Sequence, residues 1–83
     1  MKITVTKRDI RLGRKHNCEG CPIARSIRRA TGDRTIQVGC DNIFLANEKY
    51  VSIPLPLKVK KFIEAFDEGE AVKPFSFTMR RPR

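Results

Sequence analysis

The stretch PIARSIRRATGDRTIQV, residues 22–38, changes its apolar period partway along, and that change decides the fold class. Pro22 suits the first position of a helix, where a missing N–H costs nothing. Ile23, Ile27 and Ala30 then fall at i, i+4 and i+7 on one face, and Arg25, Arg28 and Arg29 take the others. Gly32 is a natural helix stop. Directly afterwards Thr35-Ile36-Gln37-Val38 alternates polar and apolar, the period of a half-buried strand. One helix and one strand side by side in a short chain point to mixed structure.

Toward the C-terminus the β signal continues. Gly39-Cys40-Asp41-Asn42 reads as a turn and Ile43-Phe44-Leu45 as a second strand. Asn47-Glu48 is the expected hairpin tip, and Tyr50-Val51-Ser52-Ile53 a third strand that Pro54 and Pro56 stop. Val59, Phe62, Ile63 and Phe66 stand at i, i+3, i+4 and i+7, an amphipathic helix that Gly69 closes. Phe75-Ser76-Phe77-Thr78-Met79 alternates as a last strand. Toward the N-terminus, Ile3 and Val5 alternate with Lys2, Thr4 and Thr6. Thr6 and Asp9 have the spacing of a capping box, which predicts one or two helical turns from Lys7 to Leu12 before Gly13. Arg14 to Gly20 is a basic, turn-rich loop.

This order predicts a single α+β domain over residues 1–79, with residues 80–83 as a basic tail. The expected architecture is a mainly antiparallel sheet of four to five strands with two main helices on one face. Its expected core is Ile3, Val5, Ile23, Ile27, Ile36, Val38, Leu45, Val51, Ile53, Val59, Phe62, Ile63, Phe66, Phe75 and Phe77. A chain of 83 residues buries a thin core. No apolar run approaches the roughly 18 residues of a membrane span, and the N-terminus lacks the apolar stretch of a signal peptide. A cytoplasmic setting is therefore expected, with three cysteines kept as thiols, metal ligands or core filler.

Charge is distributed unevenly. Residues 1–34 carry a net +7, residues 35–79 a net −1 and residues 80–83 a net +3. Arg25, Arg28 and Arg29 share one side of the first main helix. Arg14 and Lys15 in the loop, and Lys7, Arg8 and Arg11, stand near enough in sequence to join them. Such an array attracts phosphates with a steep salt dependence, or grips an acidic protein surface. Exposed aromatics are few, so backbone contact is expected rather than base reading. Reversing Arg25, Arg28 and Arg29 to Glu is expected to abolish binding and leave the fold intact. The second main helix carries Lys58, Lys60 and Lys61 at its start and Glu64, Asp67 and Glu68 at its end, against the helix dipole. Lys58 and Lys61 are therefore candidate contacts for a secondary phosphate or carboxylate.

His16-Asn17-Cys18-Glu19-Gly20-Cys21-Pro22 is the densest chemical signal, and three readings stay open. His16, Cys18, Cys21 and Cys40 supply four ligands for a tetrahedral zinc ion, although a second Cys-x-x-Cys pair is missing. Alternatively, Cys21 at a helix N-terminus has a lowered pKa and a redox role. Alternatively, Cys18 and Cys21 are small hydrophobes that pin the loop. No Ser/His/Asp set or glycine-rich phosphate loop is present, so no enzymatic activity is expected.

Over nearly the whole chain, several strings resemble a group of short bacteriophage and bacterial proteins with no established activity. They are Ile3-Thr4-Val5-Thr6, Asp9-Ile10, Gly13 and Cys18-x-x-Cys21-Pro22-Ile23-Ala24, then Pro54-Leu55-Pro56, Phe62-Ile63-x-x-Phe66-Asp67-x-Gly69 and Pro74-Phe75-x-Phe77. The resemblance implies a viral or prophage origin and a host-cytoplasmic setting, and no particular activity. Cys40 stands outside the pattern. Two functional expectations follow from the charge and the resemblance together: a module holding nucleic-acid backbone or a nucleoprotein, or a phage-type inhibitor that docks on a host enzyme or defence complex.

Overall fold

In the computed structural model, which describes residues 1–45 and 51–79, the chain runs through eight elements. These are β1 (Lys2–Val5), α1 (Lys7–Leu12), α2 (Pro22–Thr31), β2 (Gln37–Val38), β3 (Asn42–Leu45), β4 (Val51–Pro54), α3 (Leu57–Asp67) and β5 (Phe75–Thr78). The fold is α+β. The expected tip at Asn47-Glu48, the aromatic Tyr50 and the basic tail lie outside the described residues. No described helix is long and apolar enough to cross a membrane.

The five strands divide into two antiparallel sheets rather than one. β1 pairs with β5, with Ile3 opposite Phe77 and Val5 opposite Phe75. β2, β3 and β4 form the other sheet in chain order, with Ile43 opposite Ile53. The split follows from chain economy. A capped helix directly after β1 carries the chain away from that strand, and the two terminal strands are left to pair with each other. β2 is shorter than its alternation predicts. Thr35 is drawn instead into a turn, its N–H and hydroxyl both donating to the Asp33 carboxylate at 2.8 and 2.6 Å. Pro54 closes β4 opposite Asn42, a strand-end position where a residue without N–H is tolerated.

α2 packs on β1 and β2 and so joins the two sheets. Its buried face is Ile23, Ala24, Ser26 and Ile27, whereas Ala30 is exposed. The apolar stripe therefore runs one residue off the expected line. Ser26 tolerates burial because its hydroxyl donates to the Ile23 carbonyl at 2.7 Å. α3 covers the terminal sheet through Phe62, whose ring centre lies 4.9 Å from that of Phe75. The expected core residues are buried, apart from Ile63 and Phe75, which are half-buried, and Val51, whose side chain lies outside the description. Cys21, Ala24, Ile43, Leu55 and Met79 join them.

α1 and α2 meet through a close backbone approach. Gly13 caps α1, donating its N–H to the Asp9 carbonyl at 2.8 Å. A Cβ at this position would sit 2.6 Å from the Pro22 ring and 2.7 Å from the Asp9 carbonyl oxygen. At the far end of α2, Gly32 adopts φ of 73° with open space around it. Gly13→Ala is therefore expected to lower stability by about 1–3 kcal/mol through overpacking. Gly32→Ala is expected to cost only about 1 kcal/mol, from backbone strain alone. Urea unfolding of the two variants checks the order.

Candidate functional site

The site is built outward from Asp9. Thr6 caps α1 by accepting the Asp9 N–H at 3.1 Å, and the Asp9 carboxylate accepts the Thr6 N–H at 2.9 Å, so the capping box is complete. This carboxylate is fully buried. A buried charge needs a partner, and Arg29 of α2 supplies one. Its two terminal nitrogens donate to the two Asp9 oxygens at 2.6 and 2.7 Å, a fork-to-fork pairing. The same guanidinium donates to the Thr4 carbonyl of β1 at 2.9 Å. Arg25 adds a longer ion pair, its Nε lying 3.6 Å from Asp9 and making no hydrogen bond. Burial alone pushes the Asp9 carboxyl up. The Arg29 hydrogen bonds, the Thr6 N–H and the Arg29 charge outweigh it and hold the group below its ordinary value. Reciprocally, the Asp9 hydrogen bonds push Arg29 up.

Arg25, Arg28, Arg29 and Arg34 line one open groove of about 600 Å³, together with Gly32, Gly20 and Glu19. α2 presents the first three because their spacing puts them on one side of the helix. Arg28 is tethered through Nε to the Ile36 carbonyl at 2.8 Å. Arg28 and Arg29 lie in the last turn of α2, where the helix dipole favours cations. Arg34 had no assigned role in the sequence. It joins because the αL turn at Gly32 folds the chain back beside the helix. No regular period carries that information.

The other basic candidates go to different places. Arg14 donates its N–H to the Gly20 carbonyl at 2.8 Å, and its aliphatic stem lies over Gly20, next to the groove. Lys15 instead reaches the end of α3, beside Gly69. Lys7, Arg8 and Arg11 are exposed on α1 and do not line the groove. Lys58 stays on the surface but is engaged within the chain, donating to the Ser76 carbonyl at 2.6 Å and standing 5.7 Å above the Phe75 ring. Lys61 lines a separate hollow beside Leu57 and Glu64. Lys60 approaches Asp41 at 3.9 Å rather than Glu64.

His16, Cys18, Cys21 and Cys40 line a common pocket, with Asp67 of α3. All three cysteines are free thiols. No group of three or more metal-ligating side chains converges closely enough to hold an ion among the described residues, so the four-ligand zinc set does not assemble. His16 is tied to Asp67 in the pocket wall: its backbone N–H donates to that carboxylate at 2.9 Å, and Nδ1 lies 3.6 Å from it. The expectation of an acidified Cys21 is also corrected. Its sulfur does cap α2, accepting the Ala24 N–H at 3.3 Å, but burial dominates and pushes the thiol up.

Against known proteins, the chain matches no family, no curated protein and no solved structure.

Arg29→Ala strands a buried carboxylate and is expected to cost about 2–4 kcal/mol. This is below the fully buried case because Arg29 is half-exposed and Arg25 remains nearby. The pH dependence has a definite sign. In the wild type, Asp9 has a depressed folded pKa. Its contribution is complete above the unfolded value of about 3.9 and is lost as pH falls through the lower folded value. In Arg29→Ala burial is far less opposed and the folded pKa rises, so acid relieves the penalty. The stability gap between the two proteins is expected to shrink as pH falls from 7 to 4, measured by denaturant unfolding.

Proposed function

We infer that the protein is a non-enzymatic binding module whose arginine groove holds the phosphate backbone of nucleic acid without reading its sequence. The observation that carries this reading is the gathering of Arg25, Arg28, Arg29 and Arg34 around one open groove. Among the described residues that line the groove, Glu19 is the one carboxylate, and Asp9 pairs with Arg29 and Arg25 from beneath. Positive charge is therefore in excess where solvent and ligand can enter.

Within the groove the four arginines do different work. Arg29 spends its fork on Asp9 and Thr4. Arg28 uses Nε on Ile36 and keeps its two terminal nitrogens for a ligand. Arg34 makes no ion pair or hydrogen bond among the described residues, and Arg25 lies only loosely against Asp9. Arg28 and Arg34 are thus the expected phosphate contacts, with Arg25 in support. Guanidinium groups stay protonated at any working pH, so the groove suits anion binding and not proton transfer. No aromatic ring lines it among the described residues, which favours phosphate contact over base stacking. Gly32, with open space around it, leaves room for a close approach.

The geometry also replaces the charge reversal that the sequence alone offers as a test. Arg29→Glu would place a second carboxylate against buried Asp9 and unfold the domain, so loss of binding would prove nothing. The informative pair is Arg28→Glu with Arg34→Glu, compared with Lys7→Glu plus Arg8→Glu, which changes net charge equally outside the groove. Fluorescence anisotropy with a labelled duplex is expected to show binding that weakens roughly 40-fold between about 50 and 200 mM salt, for about three phosphate contacts. The groove pair is expected to abolish it and the α1 pair to weaken it only modestly. Equal losses in both pairs, or binding only to a nuclease-resistant host protein, would overturn the assignment.

A further inference from the structure

The loop from Asn17 to Cys21 has two sides. Glu19 and Gly20 face the arginine groove, whereas Cys18 and Cys21 face a separate pocket of about 190 Å³. Every cysteine of the chain and its one histidine line this second pocket. They arrive from two separate segments, the loop before α2 and the turn between β2 and β3. Val38 and Ile63 supply apolar wall between them. The loop is held in shape independently of the thiols. The Cys21 N–H donates to the Asn17 carbonyl at 3.0 Å, the Asn17 side chain accepts the N–H groups of Glu19 and Gly20, and the Val38 N–H donates to the Cys18 carbonyl at 2.9 Å.

The donor chemistry of the pocket is soft. Its oxygen ligand, Asp67, is already engaged by His16. Hard cations that demand several oxygens find no set here, and a tetrahedral ion finds no four converging ligands. A soft monovalent ion needs only two sulfurs, and thiolates select for it. Cys18 and Cys21 line the same pocket, both held in the turn that the Cys21 N–H closes onto the Asn17 carbonyl. We propose that Cys18 and Cys21 form a two-coordinate thiolate site for a soft monovalent metal ion, Cu(I), with Cys40 in the facing wall. Binding joins one Cu(I) to two sulfurs and releases both thiol protons, with no change of oxidation state, so affinity rises with pH.

Anaerobic titration of the purified protein with Cu(I) held by a coloured chelator tests the site. The wild type is expected to withdraw one Cu(I) per chain and to melt at a higher temperature with the ion bound. Cys18→Ser removes one ligand at an exposed position, and Cys21→Ser keeps an oxygen at the helix cap. Both are expected to stay folded by circular dichroism and to lose affinity by about tenfold or more, the scale of a lost metal contact. Cys40→Ser is expected to retain the ion. A wild type that leaves the chelator complex untouched would overturn the proposal. So would a Cys18→Ser protein that competes as well as the wild type, and that variant alone decides the matter should Cys21→Ser not fold.

Discussion

One buried carboxylate organises the N-terminal half of this protein. Asp9 completes the cap of α1, receives the fork of Arg29 from α2 and, through that guanidinium, is linked to the Thr4 carbonyl of β1. Three elements are thereby fixed to one another at a single point. Desolvating such a pair costs several kcal/mol, and a well-packed apolar replacement is often as stable. What an apolar replacement lacks is direction. A fork-to-fork pair sets the rotation of α2 about its axis, and that rotation decides which way Arg25 and Arg28 project.

The groove is consequently a by-product of the anchor. Part of the N-terminal charge excess is consumed in holding the fold, and part lines the open groove. Arginine suits this division better than lysine. Its planar head offers five donors, so Arg28 can give Nε to Ile36 and still present two nitrogens outward. A lysine at the same position would have one point charge to place. The thiol pocket on the other side of the Asn17–Cys21 loop shares this scaffold, because the loop feeds directly into α2.

Much of the fold was legible in the sequence wherever local chemistry and tertiary packing agree. The Thr6–Asp9 capping box, Pro22 at the start of α2, Gly32 at its end and the Phe62–Phe66 stripe of α3 all rest on interactions within one element. What was not legible depends on encounters between elements. Strand periodicity identifies faces but not partners, so nothing in Ile3 or Phe77 announced a terminal sheet of its own. Ala30 is too small for its period to be decisive. Asp9 reads locally as a cap, and only the approach of α2 makes it the counter-ion of Arg29. Nor does a Cys-x-x-Cys spacing tell whether burial or the helix dipole dominates at Cys21; here burial does.

Asp9 and Arg29 act as one coupled unit that orients α2. A double-mutant cycle on unfolding free energy, with Asp9→Asn, Arg29→Gln and the combined variant, measures that coupling directly. The geometry predicts an interaction of about 1.5–3 kcal/mol, with the double variant less damaged than the sum of the two single ones. Additivity within about 0.5 kcal/mol would show that the two side chains stabilise the fold independently, and the orientation of the arginine groove would then need another cause.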